Sequence, residues 1–332
     1  MLSGKGMYLW QVAKTEGGNV DAIVKMAVAM CFSHVLVKIA DGAYPYNAAL
    51  LPQLVDGLKS AGIQVWGWQY VYGNNPTGEA MIASSIIQGM ELDGFVVNAE
   101  VEYKRAGSAF KAKTYMQTLR AGVGLNLPIA LSTYRWPTYH PEFPFDAFLE
   151  YCDIAMPQVY WLQAHNPTFQ LQRTIKEYAA LKVQRQVFPT GACFLQSGWK
   201  PTASEVAAFI QAAKDAGLQG VNFWEWANAR TYVADGWEVI RSIPWTNTPE
   251  PQPEPEPEPL PEPVSGMRMK VLVDGLNVRS APSLSAPITG RLVLGDIVRI
   301  ANIAGQDVWV KFPDGTFAAA YVGGRRYMEV IE

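Results

Sequence analysis

The chain has 332 residues, 49% hydrophobic and 17% charged, which is enough to bury one large core and a second small one. A formal net charge of −3 without any basic stripe excludes a nucleic-acid binder, and no apolar run reaches the roughly 18 residues that a membrane span requires. Cys31, Cys152 and Cys193 stand far apart with no CxxC spacing, which excludes a disulfide framework and a thiolate metal site and leaves buried free thiols as the expectation.

Met1 to Gly6 lead directly into an apolar strand, with none of the regions of a signal peptide. If the chain acts outside a cell or on a cell wall, a removed leader or a phage carrier must deliver it. Short apolar runs at 7–12, 34–40, 64–72, 94–102, 128–134, 152–160, 187–193 and 220–226 are rich in branched and aromatic residues. Stretches of helical period separate most of them: Val20 to Cys31, Ala48 to Ala61, Gly78 to Met90, Ala109 to Ala121, Pro167 to Leu181 and Ala203 to Ala216. Between the fifth and sixth runs the sequence is short and proline-rich, so any helix there is brief. Alternating strands and helices of this number and size predict a (β/α)8 TIM barrel, an α/β fold, over residues 1–246.

Residues 247–266 form a Pro/Glu-rich linker, in which proline fixes an extended helix and the glutamates repel one another. At about 3.1 Å per residue it holds its flanks roughly 50 Å apart as independent modules. Residues 267–332 alternate in short strands at Lys270-Val-Leu-Val, Leu276-Asn-Val-Arg-Ser, Gly295-Asp-Ile-Val-Arg-Ile and Val308-Trp-Val-Lys-Phe, a small all-β barrel. Gly275-Leu-Asn-Val-Arg-Ser-Ala-Pro-Ser283, with Gly295-Asp-Ile-Val and Trp309-Val-Lys, resembles the bacterial SH3-type domains appended to cell-wall hydrolases. The resemblance implies binding to cell-wall glycan or peptide without chemistry; a generic extracellular spacer is the alternative.

The chemistry centres on Asp93-Gly-Phe-Val-Val-Asn-Ala-Glu-Val-Glu-Tyr103. Read as one strand, it places Val96, Asn98, Glu100 and Glu102 on one face, with the polar end where parallel barrels build active sites. Two residues apart, Glu100 and Glu102 have Cα atoms about 6.6 Å apart and carboxyls free to converge. A protonated acid beside a charged partner is the equipment of glycoside hydrolysis. The alternative is that the pair only binds a cation, Lys38 or Arg135. On the second strand Leu36, Lys38 and Ala40 share a face; pointing inward, Lys38 would reach the carboxylates, and pointing outward it would snorkel between helices.

Lys38-Ile-Ala-Asp-Gly42 resembles the strand-end motif of the lysozyme-type family 25 of glycoside hydrolases, barrel enzymes that cut the muramic-acid to glucosamine bond of peptidoglycan. Glu100-Val-Glu102 falls where that family has an acid-x-Glu motif, which implies Glu102 as proton donor and Glu100 as its acidic partner, with Lys38 and Asp41 at the site. The family's first strand carries an aspartate where Tyr8 stands, and its partner acid is Asp rather than Glu. In a second register, Asp93-Gly-Phe-Val-Val-Asn-Ala-Glu100 is similar to the Asp-Gly-x-Asp-x-Asp-x-Glu strand of the chitinase-type family 18, which implies Glu100 as the acid. Met156-Pro-Gln-Val-Tyr160 and Phe223-Trp224 resemble that family's sixth and eighth strands, while Val96 and Asn98 replace its two aspartates.

Trp10, Trp66, Trp68, Trp136, Trp161, Trp224 and Trp226, with Tyr70, Tyr72, Tyr134 and Tyr160, supply flat apolar faces suited to pyranose rings, and part of this set is ordinary packing. Trp10, Trp68, Tyr70, Tyr134, Tyr160 and Trp224 are the candidate sugar contacts. Gln158 and Asn98 are candidate hydrogen-bond partners; Gln69, Gln158 and Asn222 bond either sugar hydroxyls or one another. Were Trp224 and Trp226 to share an outward face, Glu225 would point inward as a further acid. His140 and His165 read as incidental loop residues and His34 as a surface or capping residue. No metal, nucleotide, serine or cysteine motif is present, so no cofactor is expected. The expected function is a muramidase-like glycoside hydrolase whose partner is bacterial cell-wall glycan; the alternative is an inactive glycan-binding or structural surface or phage protein.

Overall fold

The computed structural model describes residues 2–245, 268–299, 302–304, 308–322 and 325–331. The predicted linker, 247–266, lies outside the described residues. The chain divides into two compact units, Met1–Thr248 and Pro249–Glu332.

In the first unit eight parallel strand positions close on themselves: β1 (Gly4–Leu9), β2 (His34–Asp41), β3 (Gln64–Val71), β4 (Gly94–Ala99), β5 (Ile129–Tyr134), β6 (Ile154–Val159), β7 (Gln186–Val187 and Thr190–Ala192) and β8 (Gly220–Trp224). β1 pairs with both β2 and β8, which completes the barrel. Helices α1 (Val20–Ala29), α2 (Leu51–Ser60), α3 (Pro76–Gly89), α4 (Ser108–Val123), α5 (Phe145–Leu149), α6 (Pro167–Ala179) and α7 (Ala203–Asp215) follow successive strands. The five-residue α5 is the brief helix expected of the proline-rich connection. After β8 come α8 (Trp226–Tyr232) and α9 (Ala234–Ser242), which the sequence reading did not anticipate. Lys5 ties this end to the first strand, donating from a buried ammonium to the carbonyls of Ile240 and Ile243 at the C-terminus of α9.

Alternation divides two cores. Met7, Val35, Val37, Val65, Phe95 and Val97 face the helices, whereas Tyr8, Leu36, Trp66, Trp68, Val96, Met156 and Phe188 fill the barrel interior. Trp66 and Trp68 therefore pack inside the barrel. Trp226 lies in the helical layer against Phe32 and Trp237.

Contrary to its expected place at the surface, His34 is fully buried, because β2 begins inside the barrel wall. A Cβ at Gly6 would fall 2.0 Å from His34 Nε2, so only glycine leaves room for the ring. Nε2 lies 2.6 Å from Asn222 Oδ1 and Nδ1 lies 2.9 Å from Ser33 Oγ. Burial lowers the His34 pKa to about 4 from its ordinary 6.5. The unfolded chain therefore takes up this proton first; the stabilisation is complete above pH 6.5 and is lost as pH falls toward 4. By pH 5 the barrel should lose about 2 kcal/mol from this group. Urea midpoints at pH 7 and pH 5 check it, and replacing His34 by Gln should remove most of the slope.

The cysteines are free. Cys152 and Cys193 are buried, and burial pushes their thiols above the ordinary range, but Cys31 is exposed at the end of α1, contrary to expectation.

The second unit is the small all-β barrel. Arg268–Val271 lies between Ile297–Arg299 and Met328–Ile331 in one antiparallel sheet. In the other, Ile288–Leu292, Leu276–Arg279, Phe317–Val322, Val308–Lys311 and Asn302–Ala304 run in that order. Met269, Val271, Leu276, Val310, Phe312 and Ala318 form its core.

Candidate active site

At the carboxyl end of β4 the chain leaves the strand earlier than its pattern implies. Glu100 turns (φ −136°, ψ −132°) into a single 3-10 turn, Val101–Lys104, closed by Tyr103 N–H donating to Glu100 O at 3.0 Å. Glu102 thus lies on a turn and not on the strand, so the strand spacing between the two glutamates does not apply. Tyr103 on this turn is fully buried, its ring 4.9 Å from Phe148.

Both carboxylates nonetheless lie near enough to Tyr70 and Tyr134 for their charges to act on those hydroxyls. Glu100 Oε1 accepts from Asn98 Nδ2 at 3.0 Å and from Gln158 Nε2 at 2.9 Å. Glu102 Oε2 accepts from the Tyr70 hydroxyl at 2.8 Å. Burial and then the charges of both glutamates push the Tyr70 hydroxyl far above its ordinary range, which keeps it a donor. Burial followed by the same two charges pushes Tyr134 up to about 12. Both glutamates are only partly buried. Tyr160, half-buried against Phe194 at 5.1 Å, is also raised, by burial first and then by Tyr8 and Glu100.

Lys38 points inward but does not pair with the glutamates. A bulge in β2 between Lys38 and Ala40 shifts the register by one residue and brings Asp41 onto the same side, where Lys38 Nζ meets Asp41 Oδ1 at 3.2 Å. The ammonium also lies over Tyr46 (4.6 Å), Trp68 (5.0 Å) and Trp10 (5.8 Å). Asp41 further accepts from the Tyr72 hydroxyl at 3.2 Å. Trp10 is 41% exposed, 6.3 Å from Trp224, which in turn packs on Tyr8 and Trp68. Trp68 is buried, its indole N–H donating to Leu9 O at 3.3 Å, so it is a floor beneath the mouth rather than an open sugar platform.

Other expectations are corrected. Glu225 does not stand in the mouth as a third free acid: its carboxylate caps α8, accepting from Asn228 N–H at 2.8 Å, and burial raises its pKa. Gln69 faces the helices, donating to Gly42 O and Glu79 O while accepting from Tyr115. Asn222 is satisfied inside the barrel by His34 and Met156. His140 is not incidental, since it stacks on Tyr134 at 3.8 Å and receives Lys104 Nζ at 2.6 Å on Nδ1. Lys104 was missed because it lies beyond the strand; its place two residues after Glu102 on one turn was the available signal. His165 lies 2.5 Å from Glu205, which belongs to the capping box of α7. Among the described residues no group of three His, Cys, Asp or Glu side chains is placed to hold a metal ion.

The family model of the bacterial SH3 domain matches residues 274–327. No curated protein matches the chain in sequence. The barrel is similar to solved glycoside hydrolases. One is a class V chitinase from Nicotiana tobaccum, with TM-score 0.57, 9% identity, and 73% of this chain and 99% of that chain covered. A GH113 beta-1,4-mannanase aligns with TM-score 0.57, 14% identity, and 73% and 98% covered. The spore cortex-lytic enzyme SleL of Bacillus megaterium aligns with TM-score 0.51, 8% identity, and 72% and 73% covered. At such identities the likeness establishes the (β/α)8 barrel fold alone.

Proposed function

We propose that the chain is a glycoside hydrolase acting on a bacterial cell-wall polysaccharide, muramidase-like in its bond choice, and carried to the wall by its SH3 unit. The observation that carries this reading is that Glu100 and Glu102, half-buried just past the carboxyl end of β4, both act on the Tyr70 and Tyr134 hydroxyls. Glu100 Oε1 accepts from two amides, whereas Glu102 has a single hydroxyl partner, so Glu102 is assigned the acid and Glu100 the partner carboxylate. Glu102 then protonates the leaving oxygen, and Glu100 acts as base, nucleophile or stabiliser on the other side of the bond. Trp10, Trp224 and Tyr134 offer ring faces to the sugar. The SleL and chitinase neighbours and the SH3 domain support a β-linked amino-sugar polymer as substrate.

The test is the intact protein on purified cell walls and on chitin. New reducing ends with soluble fragments cut at glycosidic bonds are expected from walls; release of peptides alone, or no release, overturns the proposal. A second reading is favoured by one observation: Tyr8, where the lysozyme-type family has an acid, is buried with Trp68 and Trp224. On that reading the barrel binds glycan without cutting it, and the protein sediments with walls while leaving their reducing ends unchanged.

A further inference from the structure

Lys104 closes the same turn that carries Glu102, and its ammonium is held by two uncharged groups: His140 Nδ1 at 2.6 Å and the face of Tyr134 at 4.4 Å. An ammonium only donates, so Nδ1 must accept and the imidazole proton resides on Nε2. Burial first, and then the Lys104 charge, lower the His140 pKa from its ordinary value, which keeps the ring neutral at pH 7. Tyr134 stacks on one face of His140 with an interplanar angle of 28°. Among the described residues Lys104 forms no ion pair, whereas the other ammonium at this mouth, Lys38, is neutralised by Asp41 at 3.2 Å. A fixed, partly exposed positive charge without a counter-ion therefore stands at the edge of a site whose reacting groups are both acidic. Its remaining N–H bonds can be satisfied by an acceptor on the ligand, and a carboxylate is the strongest available.

We propose that Lys104, oriented by His140 and Tyr134, recognises a carboxylate borne by the sugar chain next to the bond that is cut, and so selects an acidic amino-sugar polymer over a neutral one. The inference rests on the hydrolase reading for the place of the bond, but its readout is affinity and not turnover. A charge-assisted hydrogen bond of this kind corresponds to roughly 10- to 100-fold in affinity. The intact chain and its Lys104→Met variant are titrated calorimetrically with the N-acetylglucosaminyl-N-acetylmuramic acid disaccharide and with the same disaccharide reduced at its carboxyl. The wild type should prefer the carboxylated form at least 10-fold, less so as sodium chloride is raised, and Lys104→Met should bring the ratio close to one. Equal affinities in the wild type, or a ratio that survives in Lys104→Met, overturn the proposal. Equal affinities in the wild type overturn the proposal even if the variant does not fold. A protein that prefers the acid but never cuts a wall leaves this inference standing and sinks the hydrolase reading; one that cuts walls with equal affinities does the reverse.

Discussion

Glu102→Gln should lower the release of reducing ends from cell walls by roughly 10³-fold, the usual contribution of a positioned general acid. The amide is nearly isosteric and can still accept from the Tyr70 hydroxyl, so the turn Val101–Lys104 keeps its anchor and glycan binding should persist. What disappears is the proton for the departing oxygen. The loss should therefore shrink when the leaving group needs no protonation, as in an aryl glycoside with an acidic phenol. Glu100→Gln should behave differently. Asn98 and Gln158 both donate to Glu100 Oε1, and an amide flipped to place its own N–H there meets two donors, so rate falls on both substrate types. Equal losses on both substrates for Glu102→Gln would move the acid role to Glu100, as the chitinase-like register implies.

Glu79→Ala should lower the stability of the barrel by roughly 3 kcal/mol. This glutamate, in the first turn of α3 and 2% exposed, accepts four backbone N–H groups from the β3–α3 loop: Tyr72 (3.0 Å), Gly73 (3.1 Å), Asn74 (3.1 Å) and Asn75 (3.3 Å). Removing the acceptor strands these donors, and the Gly73 N–H is buried. The loop also packs on the candidate site. A Cβ at Gly73 would fall 3.0 Å from Tyr103 Cζ, so the loop backbone lies directly on the ring that anchors the Glu102 turn. Of the 11 tryptophans only Trp309 lies outside Met1–Thr248, so tryptophan fluorescence in urea reports mainly on the barrel. An unchanged midpoint would show that water replaces the carboxylate at no cost. A lowered midpoint should come with reduced wall hydrolysis, because the support of Tyr103 is lost.

The fold was legible because its signals are periodic. Val96 and Asn98 inside, and Phe95 and Val97 outside, follow from strand alternation alone, as do the shares of Leu36 and Val37 in the two cores. The site was legible only up to the strand ends. Alternation assigned Glu102 to the face of Glu100 by extending β4 too far, and the turn instead carries the Glu102 carboxylate to the Tyr70 hydroxyl. In β2 the bulge after Lys38 decided its partner: with perfect alternation Asp41 would face the helices, and the ammonium would remain free for the glutamates. Glu225 failed as an inward acid for the same reason as Glu102, since the strand ends at Trp224 and the next residue serves a helix N-terminus. Bulges, turns and caps depend on tertiary packing that a period cannot carry. The Lys104, His140 and Tyr134 cluster illustrates this, being assembled from the turn after β4, the loop after β5 and the end of β5 itself.

A crystal of the Glu102→Gln variant soaked with a cell-wall oligosaccharide tests the central claim most directly. The account predicts a sugar chain across the carboxyl end of the barrel, with a glycosidic oxygen about 3 Å from the residue 102 side chain and a ring face on Trp224 or Tyr134. An oligosaccharide bound only on the SH3 unit or along the outer helices, with the mouth around Glu100 left free of sugar, would contradict it.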